Sequence, residues 1–189
     1  MKTMTMPLRL FVLGVNHRTA PLSVREQLSF TPTKLKDALG RLKCCEDVVG
    51  GAILSTCNRS EVYVTSRSPF FTGDYIKQFI SDVHRIDAGD FAGSFYELEN
   101  KDVIEHLYRV SSGLDSQLLG ENEILGQVKH ALQIAQQCQH QGVAVDDAGV
   151  RRQQRRGALQ GGLQHRRRAG VQPLHGHAVV ERTLLQRAQ

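Results

Sequence analysis

The sequence contains no tryptophan, and aromatic residues make up only 6% of it. No apolar run approaches the roughly 20 residues of a membrane-spanning helix, so no membrane partner is expected. Cysteine is scarce as well: Cys44, Cys45, Cys57 and Cys138 are the four, two of them adjacent. None forms a C-x-x-C pair, which argues against a zinc site and against a secreted disulfide framework. Free thiols in a reducing, cytoplasmic compartment are the expectation. No H-E-x-x-H or comparable spacing is present, so no metal site is expected. No G-x-G-x-x-G follows a strand pattern, and a dinucleotide-binding turn depends on those glycines. The opening MKTMTMPLRLFVLGV has one lysine and an apolar run broken by Pro7 and Arg9. It lacks a small-residue cleavage site and does not read as a signal peptide.

What is present suffices for one domain with an appendage: 189 residues, 40% of them hydrophobic. The net charge of +5 is unevenly placed. Residues 1–150 hold 15 Lys+Arg against 18 Asp+Glu, a net of −3, and residues 151–189 hold nine Arg against one Glu, a net of +8. This last stretch has no Ser, Asp, Asn, Lys, Ile or aromatic residue. Such a composition cannot bury enough surface to offset its ordering entropy. Residues 1–142 are therefore read as the domain. Residues 143–189 are read as a disordered Arg/Gln-rich tail: a basic arm for nucleic acid, a solvated linker, or the product of a reading-frame change.

Strand and helix patterns alternate along residues 8–139. Leu8–Val15 reads as a strand, followed by a turn at Thr19–Pro21. Ser23 with Glu26 forms a capping box for a short helix. Thr31 caps a second helix, with Pro32 in its first turn and Leu35, Leu39 and Leu42 on one face. Two strands flank Cys57. A third helix carries Ile76, Phe79, Ile80 and Val83, and the strand FYELE follows. Asn100 caps a fourth helix, and the fifth presents Leu118, Leu125, Val128, Leu132 and Ala135. The expected class is α+β, an α/β-type sandwich with amphipathic helices packed on a small sheet.

The stretch LSTCNRSEVYV, Leu54 to Val64, puts a thiol in a short loop between two strands. A thiol becomes a nucleophile when a nearby cation favours its thiolate. Arg59 lies two residues on, where an extended chain points it the same way, either to favour the thiolate or to clamp a substrate carboxylate. Thr56 and Asn58 supply polar groups beside it. A free cysteine is equally a small buried residue at a strand end. As a base, His106 lies on the helix face of Val103 and Val110; His17, in a loop, is a second candidate. His84, His130 and His140 fall on helix surfaces without a partner pattern. The fifth helix carries Gly120 and Gly126 within its helical pattern, which suggests close approach of a backbone or ligand. Ser116, Glu121, Asn122, Glu123 and Gln127 offer donors and acceptors near its start.

Together GVNHRTAPLSVREQLSF, LSTCNRSEVYV and HLYRVSSGLDSQLLGENEILGQVK resemble the catalytic domain of glutamyl-tRNA reductase, over about Leu8–Gln139. The resemblance implies NADPH-dependent reduction of glutamyl-tRNA to glutamate-1-semialdehyde, through a cysteine thioester, in tetrapyrrole (porphyrin) biosynthesis. It implies that Cys57 is the nucleophile and His106 a catalytic residue. It also implies substrate contacts from Thr56, Asn58, Arg59, Ser116, Glu121, Asn122, Glu123 and Gln127. Glu123 departs from the family's pattern, in which glutamine is frequent. Full-length members are expected to be homodimers with an NADPH domain and a helical dimerisation domain, and no cofactor-binding residue is expected here. The rival reading is a non-catalytic tRNA-binding or regulatory module that uses the basic tail.

Overall fold

The computed structural model describes residues 6–117 and 123–140. Residues 118–122 and 141–189, and with them Leu118, Gly120, Glu121, Asn122 and the basic tail, lie outside the described residues. The elements are β1 (Arg9–Asn16), α1 (Leu22–Gln27), α2 (Pro32–Lys43), β2 (Val48–Ser55), β3 (Arg59–Ser66), α3 (Gly73–His84), a 3-10 turn (Ala88–Ser94), β4 (Tyr96–Glu99), α4 (Lys101–Ser111) and α5 (Glu123–His140). The four strands form one antiparallel sheet in the order β2-β3-β1-β4. β3 is inserted between β1 and β2, the split βαβ arrangement. This confirms the α+β class. Among the described residues no helix is long and apolar enough to cross a membrane.

Local signals account for most boundaries. Thr31 accepts the Lys34 N–H at 3.3 Å and Pro32 opens α2, as the sequence predicts. Two expected caps differ. Pro21 holds the N-cap position of α1 in an extended conformation, which places Ser23 inside the helix. Asn100 does precede α4, but its Oδ1 accepts the Leu10 N–H at 3.1 Å and so ties the helix start to β1 instead. In α5 the buried face is Ile124, Val128, Ala131, Ala135 and Cys138; Leu125, expected inside, is exposed. Gly126 shows no close approach, since a Cβ there would meet nothing within 4 Å.

Every residue of β3 is buried, so both faces of this central strand are covered. Its apolar side chains Val62 and Val64 face one way, into the core with Phe11, Leu13, Val15 and Ile53. Arg59, Glu61, Tyr63 and Thr65 face the other way. The register sets one row across all four strands: Tyr96, Gly14, Glu61 and Leu54. Residues paired across a sheet share a face, so Tyr96 and Glu61 flank Gly14. A Cβ on Gly14 would sit 2.8 Å from Glu61 Cγ and 2.8 Å from the backbone oxygen of Ser60. Backbone cannot give way there. Gly14→Ala is therefore expected to cost about 1–3 kcal/mol, the range of overpacking, seen as a lowered urea midpoint. An unchanged midpoint would show that the row can spread.

Candidate active site

The connection between β2 and β3 is three residues, Thr56, Cys57 and Asn58. The Thr56 hydroxyl accepts the N–H groups of Asn58 and Arg59, each at 3.1 Å. The Thr56 N–H donates to the Arg59 carbonyl at 2.8 Å. Thr56 is thus the organiser of a tight side-chain turn. Cys57 stands at its apex as an exposed free thiol. The segment after β1 docks on this loop: the His17 N–H donates to the Asn58 carbonyl at 3.0 Å. Arg25 Nη1 donates to the Cys57 carbonyl at 2.8 Å and to Asn58 Oδ1 at 3.1 Å.

Arg59 is not placed as the two-residue spacing suggests. Its side chain is 2% exposed and is held inside the domain. Nη1 donates to Glu61 Oε1 at 2.7 Å, and Nη2 donates to Asp115 Oδ2 at 3.0 Å and to the Asp115 carbonyl at 2.7 Å. The physical reason is the pleat: β3 aims positions 59, 61 and 63 onto the covered face, where a guanidinium needs carboxylate partners.

Glu61 is the centre of this cluster. It is fully buried. Its Oε2 accepts Tyr63 O–H at 2.6 Å, and its Oε1 accepts Arg59 and Tyr96 and lies 3.0 Å from His106 Nε2. Burial alone would raise its carboxyl, but the His106 hydrogen bond, the Arg59 charge and the Tyr63 hydroxyl outweigh it and bring it down to about 2. Burial would weaken the Arg59 guanidinium, and the charge and hydrogen bond of Glu61 reverse this, so Arg59 stays charged. Burial, then the Glu61 charge, push both tyrosine hydroxyls up. Asp115 pairs in addition with Arg18, Oδ1 to Nη1 at 3.0 Å.

The structure therefore joins Arg59 and His106 through Glu61, and Thr56, Cys57 and Asn58 through their turn. His106 Nε2 is directed to Glu61. His17 lies close to Arg18, Asp115, Arg59 and Arg25; burial and then Arg18 lower its imidazole, with Asp115 opposing. Its Nδ1 is buried and has no partner among the described residues. Ser116 is half-buried next to Asp115, and Glu123 and Gln127 are exposed on the first turns of α5. His84 belongs elsewhere. Rather than lying on an open helix surface, it packs edge-on to Phe30 at 4.6 Å, with Lys34 Nζ 3.3 Å from its Nδ1. Glu61, Tyr63, Tyr96 and Asp115 escape sequence reasoning. The signal available was the i, i+2 ladder Arg59–Glu61–Tyr63, whose polar residues pass for a solvent-facing side. Among the described residues no group of His, Cys, Asp or Glu could hold a metal ion.

Fold and site together define a thiol-bearing α+β domain built on a buried guanidinium–carboxylate–imidazole cluster. The profile of one family, described as "Glutamyl-tRNAGlu reductase, N-terminal domain", matches residues 13–149. A glutamyl-tRNA reductase of Thiobacillus denitrificans is 45% identical over 130 residues, covering 69% of this chain and 30% of the relative. The solved structure of glutamyl-tRNA reductase from Methanopyrus kandleri superposes with a TM-score of 0.51 at 26% identity, covering 76% of this chain and 32% of that one. The chain belongs to the glutamyl-tRNA reductase N-terminal domain family. It spans about a third of the length of these relatives.

Proposed function

We propose that this domain carries the acyl-transfer half of glutamyl-tRNA reduction, with Cys57 as the acceptor. The observation that carries the reading is the exposed thiol at the apex of a braced turn, within a domain of this family. In the step, the Cys57 sulfur bonds to the glutamyl carbonyl carbon and the ester bond to the ribose oxygen breaks. The thiol proton ends on that ribose oxygen. Thr56 and Asn58 set the loop geometry. Arg59 and His106, locked together by Glu61, form the polar floor of the site, and Ser116, Glu123 and Gln127 are the further residues assigned to substrate contact. In the complete reaction, bound NADPH would supply the hydride that turns the acyl group into glutamate-1-semialdehyde for tetrapyrrole synthesis. The described residues do not fit that cofactor. The sheet is antiparallel throughout, and the connections from β1 to α1 and from β3 to α3 contain no glycine-rich turn. No step is therefore assigned to it here. Residues 1–142 act as the catalytic unit in a cytoplasmic, homodimeric enzyme.

The test is acyl capture. Incubation with tRNA carrying labelled glutamate should leave label on the protein, releasable by hydroxylamine as thioesters are. Glutaminyl-tRNA should give at least about tenfold less, the scale on which loss of a charged hydrogen bond discriminates. Absence of label, or equal labelling from both tRNAs, would overturn the reading.

A further inference from the structure

The shortest helix among the described residues, α1, meets the core only through the partly buried Val24. None of the residues in α1 is buried, whereas α2, α3 and α4 each bury residues in the core. A helix of six residues contributes little stability of its own. What α1 does contribute is Arg25. Its Nη1 reaches the Cys57 carbonyl at 2.8 Å and Asn58 Oδ1 at 3.1 Å, more than 30 positions away in sequence. Among the described residues, the buried Nε of the same guanidinium has no protein partner.

The other ties of the loop hold the neighbours of the thiol residue. The Thr56 hydroxyl holds Asn58 and Arg59, and the His17 N–H holds Asn58. Among the described residues, Arg25 is the one partner of the Cys57 carbonyl. Nor is this contact a by-product of an ion pair. Arg18 and Arg59 each have a carboxylate partner, and Arg25 has none among the described residues. A carbonyl held from outside the loop fixes the peptide plane that follows Cys57, and with it the direction of the Cα–Cβ bond.

We propose that Arg25 is a positioning residue that aims the Cys57 sulfur at the incoming acyl carbonyl. The proposal rests on the reading of Cys57 as nucleophile. Misplacing a reacting atom by about 1 Å costs on the order of 100-fold in rate, and the two hydrogen bonds from Arg25 Nη1 are what prevent it.

The experiment uses the full chain with Arg25→Ala and Arg25→Lys, and follows acylation of Cys57 by labelled glutamyl-tRNA over a range of concentrations. In Arg25→Ala the saturating rate should fall about 100-fold while the half-saturating concentration stays within about threefold. Arg25→Lys keeps one donating nitrogen on a shorter, unbranched reach and should recover about tenfold of that loss. An unchanged rate in Arg25→Ala overturns the proposal. So does a loss confined to the half-saturating concentration, or one that tracks a fall in melting temperature in both variants. A second readout needs no ligand. Hydrogen exchange at the amides of His17, Asn58 and Arg59 should accelerate on the order of tenfold in Arg25→Ala, while core amides of β1 and β3 hold. If the unmodified chain accepts no acyl group, the proposed function fails and exchange alone decides on Arg25. Unchanged exchange at those three amides then overturns its positioning role.

Discussion

Cys57→Ser is expected to abolish capture of the glutamyl group, by at least about 10⁴-fold, because a serine hydroxyl in the same turn lacks the nucleophilicity of a thiol. Cys44→Ser and Cys138→Ser should leave capture intact. Exposure alone does not separate the four cysteines, since Cys44 is exposed too. Position does. Cys44 ends α2 as its C-cap, and no site residue lies beside it in sequence. Cys45 donates its thiol to the Arg41 carbonyl, and burial, with Cys44 and Asp47 adding to it, pushes that thiol up to about 11. Cys138 is buried against the core. Cys57 alone combines an exposed sulfur with a loop braced by three separate hydrogen-bonding groups, Thr56, His17 and Arg25. Peptide mapping of the labelled protein locates the acyl group. Label retained in Cys57→Ser, or mapped to Cys44, would remove Cys57 from the chemistry.

The legible parts of this molecule were those that depend on neighbours in sequence. The period-2 run after Cys57, the Thr31–Pro32 helix start and the Ile76/Phe79/Ile80 face all state locally what the fold does with them. Cys57 stood out because Arg59 follows it two residues on and because the surrounding block resembles the family's, while its spacing alone left a buried strand-end residue equally open. The floor of the site was not legible, because it depends on pairing. Arg59, Glu61 and Tyr63 alternate with apolar residues as a solvated strand face does. Only the arrival of α4 over that face, and of Tyr96 across Gly14, turns it into an interior. Arg59 then had to be neutralised from within, which removed it from the open position beside the sulfur that its spacing implied. The Asn100 and Ser23 caps failed for a similar reason. A tertiary contact to Leu10 captured one side chain, and the rigid Pro21 moved the helix start for the other.

Glu61→Gln is the substitution that should disturb this floor most. The carboxylate accepts from Arg59, Tyr63 and Tyr96 and meets His106, and glutamine offers one carbonyl oxygen and no charge. Arg59 would keep Asp115, which Arg18 already shares. Breaking a buried ion pair on one side costs about 3–5 kcal/mol, since the remaining charge stays desolvated. That is a large share of the roughly 5–15 kcal/mol that holds a domain folded. Acyl capture should fall about a thousandfold, because Arg59 and His106 both lose their anchor. The pH dependence distinguishes this account from simple misfit of an amide. Glu61 is lowered in the folded state from an ordinary value of 4.5 to about 2. Its contribution is therefore complete above about pH 4.5 and is lost as pH falls toward about 2. The linkage amounts to about 3 kcal/mol. Urea unfolding of both proteins at pH 7 and at pH 3 measures it. The gap between the unmodified domain and Glu61→Gln should be wide at pH 7 and smaller by about 2 kcal/mol at pH 3, because there the unfolded chain has taken up the proton that the folded carboxylate still resists. A gap of equal size at both pH values would mean that Glu61 contributes shape rather than charge, and that Arg59 is neutralised by Asp115 alone.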